Sequence, residues 1–317
     1  MKLKKDLKGE DFMKVGYVVL YEDGELVISK EHTILQKPIY KDYDEFDDTD
    51  IPWKNDHTEI KIVRIIGQVK SNDMSAWFED CYNLTTLINF QNLDVSNCEN
   101  FAHLFFKCCV LVDILSLKAW NVSNGKKFFG MFYKCSSLKD ISVLQNWDVS
   151  NGINFRNMFE YCQSLKNISA LQSWNVSNAQ SFYSMFKDCK SLTTISSLSN
   201  WDVSKGKEFG DMFYGCESLQ NIKGLQSWNV SNAQSFYNMF RDCYSLIDDP
   251  ILNTWNVSNV KYFNGMFHYC YSLKKIHLPN TLESLNYQMF MGCNPMLQIH
   301  WKDKIYTYDD LKEYQEF

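Results

Sequence analysis

Residues 174–200, WNVSNAQSFYSMFKDCKSLTTISSLSN, decide the fold, because they are one copy of a unit that returns every 27 residues. Single columns fix the register. Cysteine stands at Cys81, Cys108, Cys135, Cys162, Cys189, Cys216, Cys243 and Cys270, tryptophan at Trp120, Trp147, Trp174, Trp201, Trp228 and Trp255. Phenylalanine keeps step at Phe101, Phe128, Phe155, Phe182, Phe209, Phe236 and Phe263. A constant period of between about 20 and 50 residues marks a solenoid, in which no unit can bury its apolar face alone and stacking buries a continuous core. A double step shows as well: residues 171–189 recur at 225–243 with two substitutions, the trace of a duplicated pair of coils.

Two periodicities alternate inside each unit. Phe155, Met158, Phe159 and Cys162 fall at i, i+3, i+4 and i+7, which predicts a short helix, and Asp148-Val149-Ser150-Asn151 before it offers side-chain oxygens for its free N–H groups. Ser164-Leu165-Lys166-Asn167-Ile168 predicts a strand, with Leu165, Ile168 and Leu171 inward, and Trp174 and Val176 close the coil. The fold expected is an α/β solenoid with one parallel β-sheet and short helices. Its outward strand positions, such as Lys166, Asn167, Ser169 and Ala170 or Thr193, Thr194, Ser196 and Ser197, are small and polar. The column Asp94, Asn121, Asp148, Asn175, Asp202, Asn229, Asn256 alternates acid and amide until its last step. Stacked carboxylates would repel and an interposed amide relieves this, so the column reads as turn capping.

Three parts follow along the chain: residues 1–73 as a β capping module, 74–293 as the solenoid and 294–317 as a second cap. In the first, residues 17–21 and 25–29 read as a hairpin turning at Asp23-Gly24, and Ile60 to Ile65 alternate as a strand that starts the sheet. The acidic run 41–50, KDYDEFDDTD, lacks the glycine and ligand spacing of a calcium loop and reads as a solvated loop. Near the far end, Asp249 replaces an inward isoleucine and Pro250 suggests an edge strand. The step from Cys270 to Cys293 shortens to 23; a hairpin (299–301 and 305–308) and a closing helix (309–317) finish the chain.

Composition narrows the function. With 45% hydrophobic and 15% aromatic residues among 317, the core is well supplied, and a net charge of −6 with a pI of about 5.6 argues against nucleic acid as partner. No apolar run approaches the ~18 residues of a membrane helix, and the basic start, residues 1–6, is followed by no apolar signal segment. That implies a protein that stays inside the cell or one whose leader precedes this numbering. Nine of the eleven cysteines share one column, and side chains stacked in parallel hold their Cβ atoms further apart than the ~3.8 Å a disulfide prefers. They read as a ladder of reduced, buried thiols, not as bridges or a metal cluster.

The unit resembles the BspA-like leucine-rich repeat proteins, in the variant that reads W-D-x-S-N, then M-F-x-x-C-x-S-L. Here the match is Trp147-Asp148-Val149-Ser150-Asn151, Met158-Phe159, Cys162 and Ser164-Leu165. It is strong from about residue 74 to 293. The resemblance implies a right-handed coil, a place on the surface of bacteria or protozoa, and adhesion to host proteins or other cells.

Chemistry is absent from the pattern. The six histidines, His32, His57, His103, His268, His277 and His300, show no metal-ligand spacing and read as surface residues; no phosphate loop, dinucleotide fingerprint or nucleophile motif occurs. The Met-Phe pairs are core, and the Asn-x-Ser/Thr sites at Asn83, Asn121, Asn167, Asn175, Asn229 and Asn256 are turn chemistry. No cofactor, metal or catalytic residue is expected. Tyr244, Tyr269 and Tyr271, with His268 beside them, are aromatic residues the repeat does not need, and they are the candidates for a protein-binding patch. The function expected is a non-enzymatic protein-recognition scaffold, a cell-surface adhesin by resemblance; the alternative is a cytoplasmic structural module that self-associates.

Overall fold

The computed structural model describes residues 14–47, 50–247 and 252–313. Strands β1 (Lys14–Tyr21) and β2 (Glu25–Ser29) form the expected hairpin, with Val18 opposite Ile28 and Val19 opposite Val27. At its turn Gly24 has φ +87°, and a Cβ there would lie 2.6 Å from the Glu59 carbonyl, so only glycine fits. The acidic run is not a loop: β3 (Ile39–Asp47) pairs antiparallel with β1 as the sheet's outer strand. Nearly all of it is exposed apart from Phe46, which is why no alternation betrays it. Its charges suit an open edge, since they deter pairing with another chain.

Next come β4 (Ile62–Ile66), β5 (Val69–Lys70), β6 (Thr86–Ile88) and β7 (Leu93–Asp94). β4 lies parallel between β2 and β6, giving the order β3-β1-β2-β4-β6, and β5 pairs with β7. Beyond them, regular strands give out. Coil meets coil through single parallel bridges, Asn100 with Lys127, Lys127 with Asn154, and so on to Ser235 with Tyr262. Among the described residues strands return only at β8 (Lys275–His277), β9 (Gln298–Trp301) and β10 (Lys304–Tyr306), before α1 (Tyr308–Glu313). The single continuous parallel sheet is thus corrected to three short sheets, of five, two and three strands, and a separate column of single parallel bridges running along the coils from Asp73 to Tyr262.

A side chain explains the gap. In the middle coils the position homologous to Thr86 and Lys275 holds Asp113, Asp140, Asn167, Thr194 or Asn221, the last two keeping a single parallel bridge to each other. Each takes the backbone N–H two residues on: Asp113 from Leu115 at 2.6 Å, Asp140 from Ser142 at 2.7 Å, Asn167 from Ser169 at 2.7 Å, Thr194 from Ser196 at 3.3 Å and Asn221 from Lys223 at 3.4 Å. An Asx turn competes with the ladder for the same donor. The chain then runs into a 3-10 turn such as Ser169–Ser173, and Ala170, expected outward, is buried.

The predicted helix is also corrected. Among the described residues α1 is the one α-helix, and residues 155–162 are a ribbon of overlapping four-residue turns. Met158 N–H bonds the Phe155 carbonyl, Glu160 that of Asn157, and Cys162 that of Phe159. The alternate residues Phe155, Asn157, Phe159 and Tyr161 donate to Ser181, Tyr183, Met185 and Lys187 of the next coil. Two positions per coil are left-handed: Ala76, His103, Gly130, Asn157, Ser184, Asp211, Asn238, Gly265, and four residues later Asp80, Lys107, Lys134, Tyr161, Asp188, Gly215, Asp242, Tyr269. Positive φ is incompatible with a right-handed helix, and Gly, Asn and Asp enter it most cheaply. The Asp/Asn capping column serves Asx turns instead of helix ends, as at Asp148, whose Oδ1 accepts Ser150 N–H at 3.0 Å.

The repeated apolar columns line one core, with Phe159, Leu165, Leu171 and Met185 all fully buried. Phe132, Phe159, Phe186 and Phe213 stack at 5.6 Å. Each column cysteine from Cys108 onward donates its thiol to a carbonyl of the preceding coil, as Cys162 does to Phe132 at 3.2 Å and Cys189 to Phe159 at 3.1 Å. Each column indole from Trp120 to Trp255 does likewise, as Trp174 to Leu144 and Trp201 to Leu171 at 2.8 Å. The amide of Asn151 reaches the Ser123 carbonyl at 2.7 Å. At one end Trp53 and Phe46 pack on Trp77, and at the other Tyr308 and Leu311 of α1 join the core. The Asp249-Pro250 substitution and residues 314–317 lie outside the described residues.

Candidate functional site

The turn ribbon decides which residues face out. Three, four and seven positions after the column phenylalanine, Met158, Phe159 and Cys162 point inward and are fully buried. The fifth and sixth positions are left for the flank, and there the repeat stops repeating: Glu79, Phe106, Tyr133, Glu160, Lys187, Tyr214, Arg241 and His268 occupy the fifth.

These residues interlock across coils. Phe106 stacks on Tyr133 at 4.4 Å with Lys107 5.0 Å above the Phe106 ring, and Lys134 lies 5.4 Å from Tyr133 and 5.1 Å from Tyr161. Further along, Lys187 sits 5.0 Å over Tyr214, and the Arg241 guanidinium bridges Tyr214 (5.4 Å) and Tyr269 (5.9 Å). Tyr269 continues to Tyr271 at 5.7 Å, and Tyr271 stacks on Tyr244 at 5.4 Å. Cations within ~6 Å of an aromatic face are attracted by its quadrupole, so the stripe holds its own side chains in place.

The four residues singled out from the sequence therefore come together. Tyr244 and Tyr271 are exposed, Tyr269 is half-buried. His268 departs from the surface reading: it is only 6% exposed and stacks on Tyr269 at 4.1 Å, so it backs the patch from beneath. Burial holds its imidazole below the ordinary range, helped by Arg241. Burial likewise pushes up the carboxyls of Glu160, Asp188 and Asp242, against the pull of Lys187 on the first two and of Arg241 on the third. Glu160 meets Lys187 at 3.7 Å.

Three buried polar atoms of this flank, Arg241 Nε, Asp242 Oδ1 and His268 Nε2, have no hydrogen-bond partner among the described residues. Buried polar groups without a partner and shifted titrations are commoner at functional sites than elsewhere. Lys187, Tyr214, Arg241 and Asp242 were not singled out from the sequence. Their signal was present in the two variable positions after each fixed Met-Phe pair.

The eight column thiols and Cys293 are buried, and all eleven cysteines are free. Burial raises the thiols well above their ordinary value, Cys293 to about 12, so they are poor nucleophiles and metal ligands. His32, Asp42 and Asp44 bring three donor atoms within 4.8 Å of one another on the exposed edge of β3, where His32 and Asp42 already bond at 2.8 Å. No helix among the described residues is long and apolar enough to cross a membrane.

Stacked 27-residue coils with a periodic interior and a variable flank define a repeat scaffold. The chain belongs to the family described as "Mycoplasma protein of unknown function, DUF285", whose model matches residues 66–170, 139–249 and 193–299. No curated protein matches it. Among solved structures it is similar to a leucine-rich repeat protein from Eubacterium ventriosum, at 15% identity over 88% of this chain and 94% of that one, TM-score 0.32. It is similar also to a leucine rich cell surface protein from Faecalibacterium prausnitzii, at 15% identity over 94% and 96%, TM-score 0.34. Family membership rests on the repeat model alone.

Proposed function

We propose that the protein is a non-enzymatic recognition scaffold that binds another protein through the cation–aromatic flank centred on Tyr214, Arg241, Tyr244, Tyr269 and Tyr271. Residues 74–293 are the recognition solenoid, a right-handed coil, with 1–73 and 294–317 as its end caps; the adhesin role is the finer form of the same reading. What carries it is the exposed Tyr244–Tyr271 stack continuing into Tyr269 and Arg241 over a base of unpartnered buried polar atoms. Tyrosine and arginine are favoured interface anchors because they offer large, amphipathic area at low entropic cost.

The test compares the full chain with a Tyr244→Ala/Tyr271→Ala double variant, each immobilised and exposed to detergent extracts of host cells. The expected result is a partner retained by the parent and lost by at least tenfold in the variant, the scale of a hot-spot truncation. Equal retention by both sinks the flank as the contact surface. Light scattering over a range of concentrations separates the alternative: growth to dimers or filaments that the double variant abolishes assigns the flank to self-assembly.

A further inference from the structure

We propose that the groove bounded by Tyr183, Tyr237 and Tyr262 is a saccharide-binding site that takes a pyranose unit of a neutral glycan, a site that goes beyond the protein-binding flank and does not rest on it. The groove has a volume of about 420 Å³, and the three tyrosines line it together with Glu208, Gln234 and Lys261. It lies on the outer face of the coils around the bridges Glu208–Ser235 and Ser235–Tyr262.

The arrangement is built, not accidental crowding. Tyr183 and Tyr237 occupy the same repeat position two coils apart, and between them the position is Gly210. A Cβ on Gly210 would stand 3.2 Å from Cδ2 and Cε2 of the Tyr183 ring and 3.5 Å from Ser235 Oγ. Glycine therefore lets the Tyr183 ring lie down against the backbone and leaves the space above it open. The ring is pinned from two sides: its hydroxyl donates to Asp211 Oδ2 at 2.7 Å, and the Arg156 guanidinium sits 4.8 Å from its centroid. Asp211 is only 5% exposed, and its other oxygen has no hydrogen-bond partner among the described residues. Tyr237 and Tyr262 stand on the far side at 44% and 59% exposed.

The chemistry of the lining selects the ligand class. A pyranose presents an apolar C–H face and a rim of hydroxyls. Tyrosine rings match the first, since they are flat, amphipathic and lose little entropy on binding. The Glu208 carboxylate, the Gln234 amide and the Lys261 ammonium match the second, because together they accept and donate. The one carboxylate and the one ammonium cancel, so neither an anionic nor a cationic ligand gains. Among the described residues the groove is lined by rings and polar groups with no aliphatic side chain, a combination that suits a sugar's C–H face and hydroxyl rim better than a peptide's aliphatic residues. Nucleic acid would meet a single lysine where it needs several cations.

The experiment uses the full chain on an array of neutral, sialylated and sulfated oligosaccharides. It is followed by titration with the best free oligosaccharide and by retention on the corresponding immobilised polysaccharide, which distinguishes free sugar from cell-surface polymer. The expected result is binding of neutral hexose or N-acetylhexosamine chains that falls about tenfold or more in Tyr237→Ala and in Tyr262→Ala, as for loss of an aromatic anchor. Tyr183→Phe, which keeps the ring and loses the Asp211 bond, weakens it less. Tyr271→Ala leaves it unchanged, so failure of the protein-binding flank and failure of this groove are told apart. Tyr237 and Tyr262 are solvent-facing, and an unchanged circular dichroism spectrum shows that their variants fold. The proposal is overturned if no neutral glycan binds, if only charged glycans bind, or if Tyr237→Ala and Tyr262→Ala bind as the parent does.

Discussion

At Cys162, Cys189 and Cys216 the same side chain makes the same bond in three successive coils, each thiol donating to a phenylalanine carbonyl 30 residues earlier. Two residues upstream, at Glu160, Lys187 and Tyr214, the side chain goes from anion to cation to neutral ring. Both sets belong to one turn ribbon and lie within a few ångströms of each other along the chain. The interior position must fit identical neighbours above and below, so any change is felt twice. The flank position meets a neighbour on each side as well, yet through ring faces and flexible cations that tolerate many pairings. Periodicity therefore marks what builds the stack, and departure from it marks where partners can be read.

The sharpest way to break this comparison is to cut the interior. Phe186→Ala opens a gap in the stack between Phe159 and Phe213 and is expected to cost about 3–5 kcal/mol, read as a lower urea midpoint. A loss below about 1 kcal/mol would mean that neighbouring coils collapse into the space and that the column is less rigid than its stacking implies.

A smaller effect, with a diagnostic sign, comes from Lys134, whose φ is +57°. Replacing it by glycine is expected to be neutral or to gain up to about 1 kcal/mol, while valine costs about 1–2 kcal/mol. In a helix the glycine would instead cost about 1 kcal/mol, so the pair of variants separates ribbon from helix by thermal melting.

The smallest effect is on pH dependence. Glu160, Asp188 and Asp242 hold their protons more tightly folded than unfolded, because burial disfavours the carboxylate. Folded stability from these groups therefore rises as pH falls through their raised values toward the ordinary carboxylate range. His103 and His268 act oppositely: their folded values are lowered, so stability falls as pH drops through about 6.5, where the unfolded imidazole takes its proton. Asp242→Asn is expected to be at least as stable as the parent at pH 7 and to lose part of the recovery at lower pH. A melting profile that Asp242→Asn leaves unaltered would show that this carboxyl is solvated after all.

The buried columns and the end hairpins could be read from the residues. The ribbon could not be read from hydrophobic spacing, because two successive four-residue turns put Phe155, Met158, Phe159 and Cys162 on one side just as a helix does. The discriminating sign was compositional: Gly130, Asn157, Asp211, Asn238 and Gly265 share a column, and all have positive φ. The loss of regular strands had only a partial local sign, the Asp or Asn at 113, 140, 167 and 221, since Thr194 has the same residue type as Thr86 and still forms a single bridge instead of a strand. The flank was half legible. Tyr244, Tyr269 and Tyr271 stood out as surplus aromatics, but the meeting of Lys187 with Tyr214 is a contact across 27 residues that exists only once the coils are stacked.

The carbonyl of Phe132 accepts twice, from the Cys135 N–H of its own turn at 3.1 Å and from the Cys162 thiol of the next coil at 3.2 Å. The shortened last coil keeps the rule: Cys293 reaches back 26 residues to Phe267 instead of 30, and its own N–H still bonds Phe290. The joint thus measures position within a turn and ignores how much chain a coil carries elsewhere. The near-copy of 171–189 at 225–243 is what the insertion of a whole pair of coils leaves behind, and an inserted coil brings the same donors and acceptors to each seam. A lineage can lengthen or shorten its molecular ruler in a single genetic step, but it cannot slip one graduation by one residue inside the ribbon.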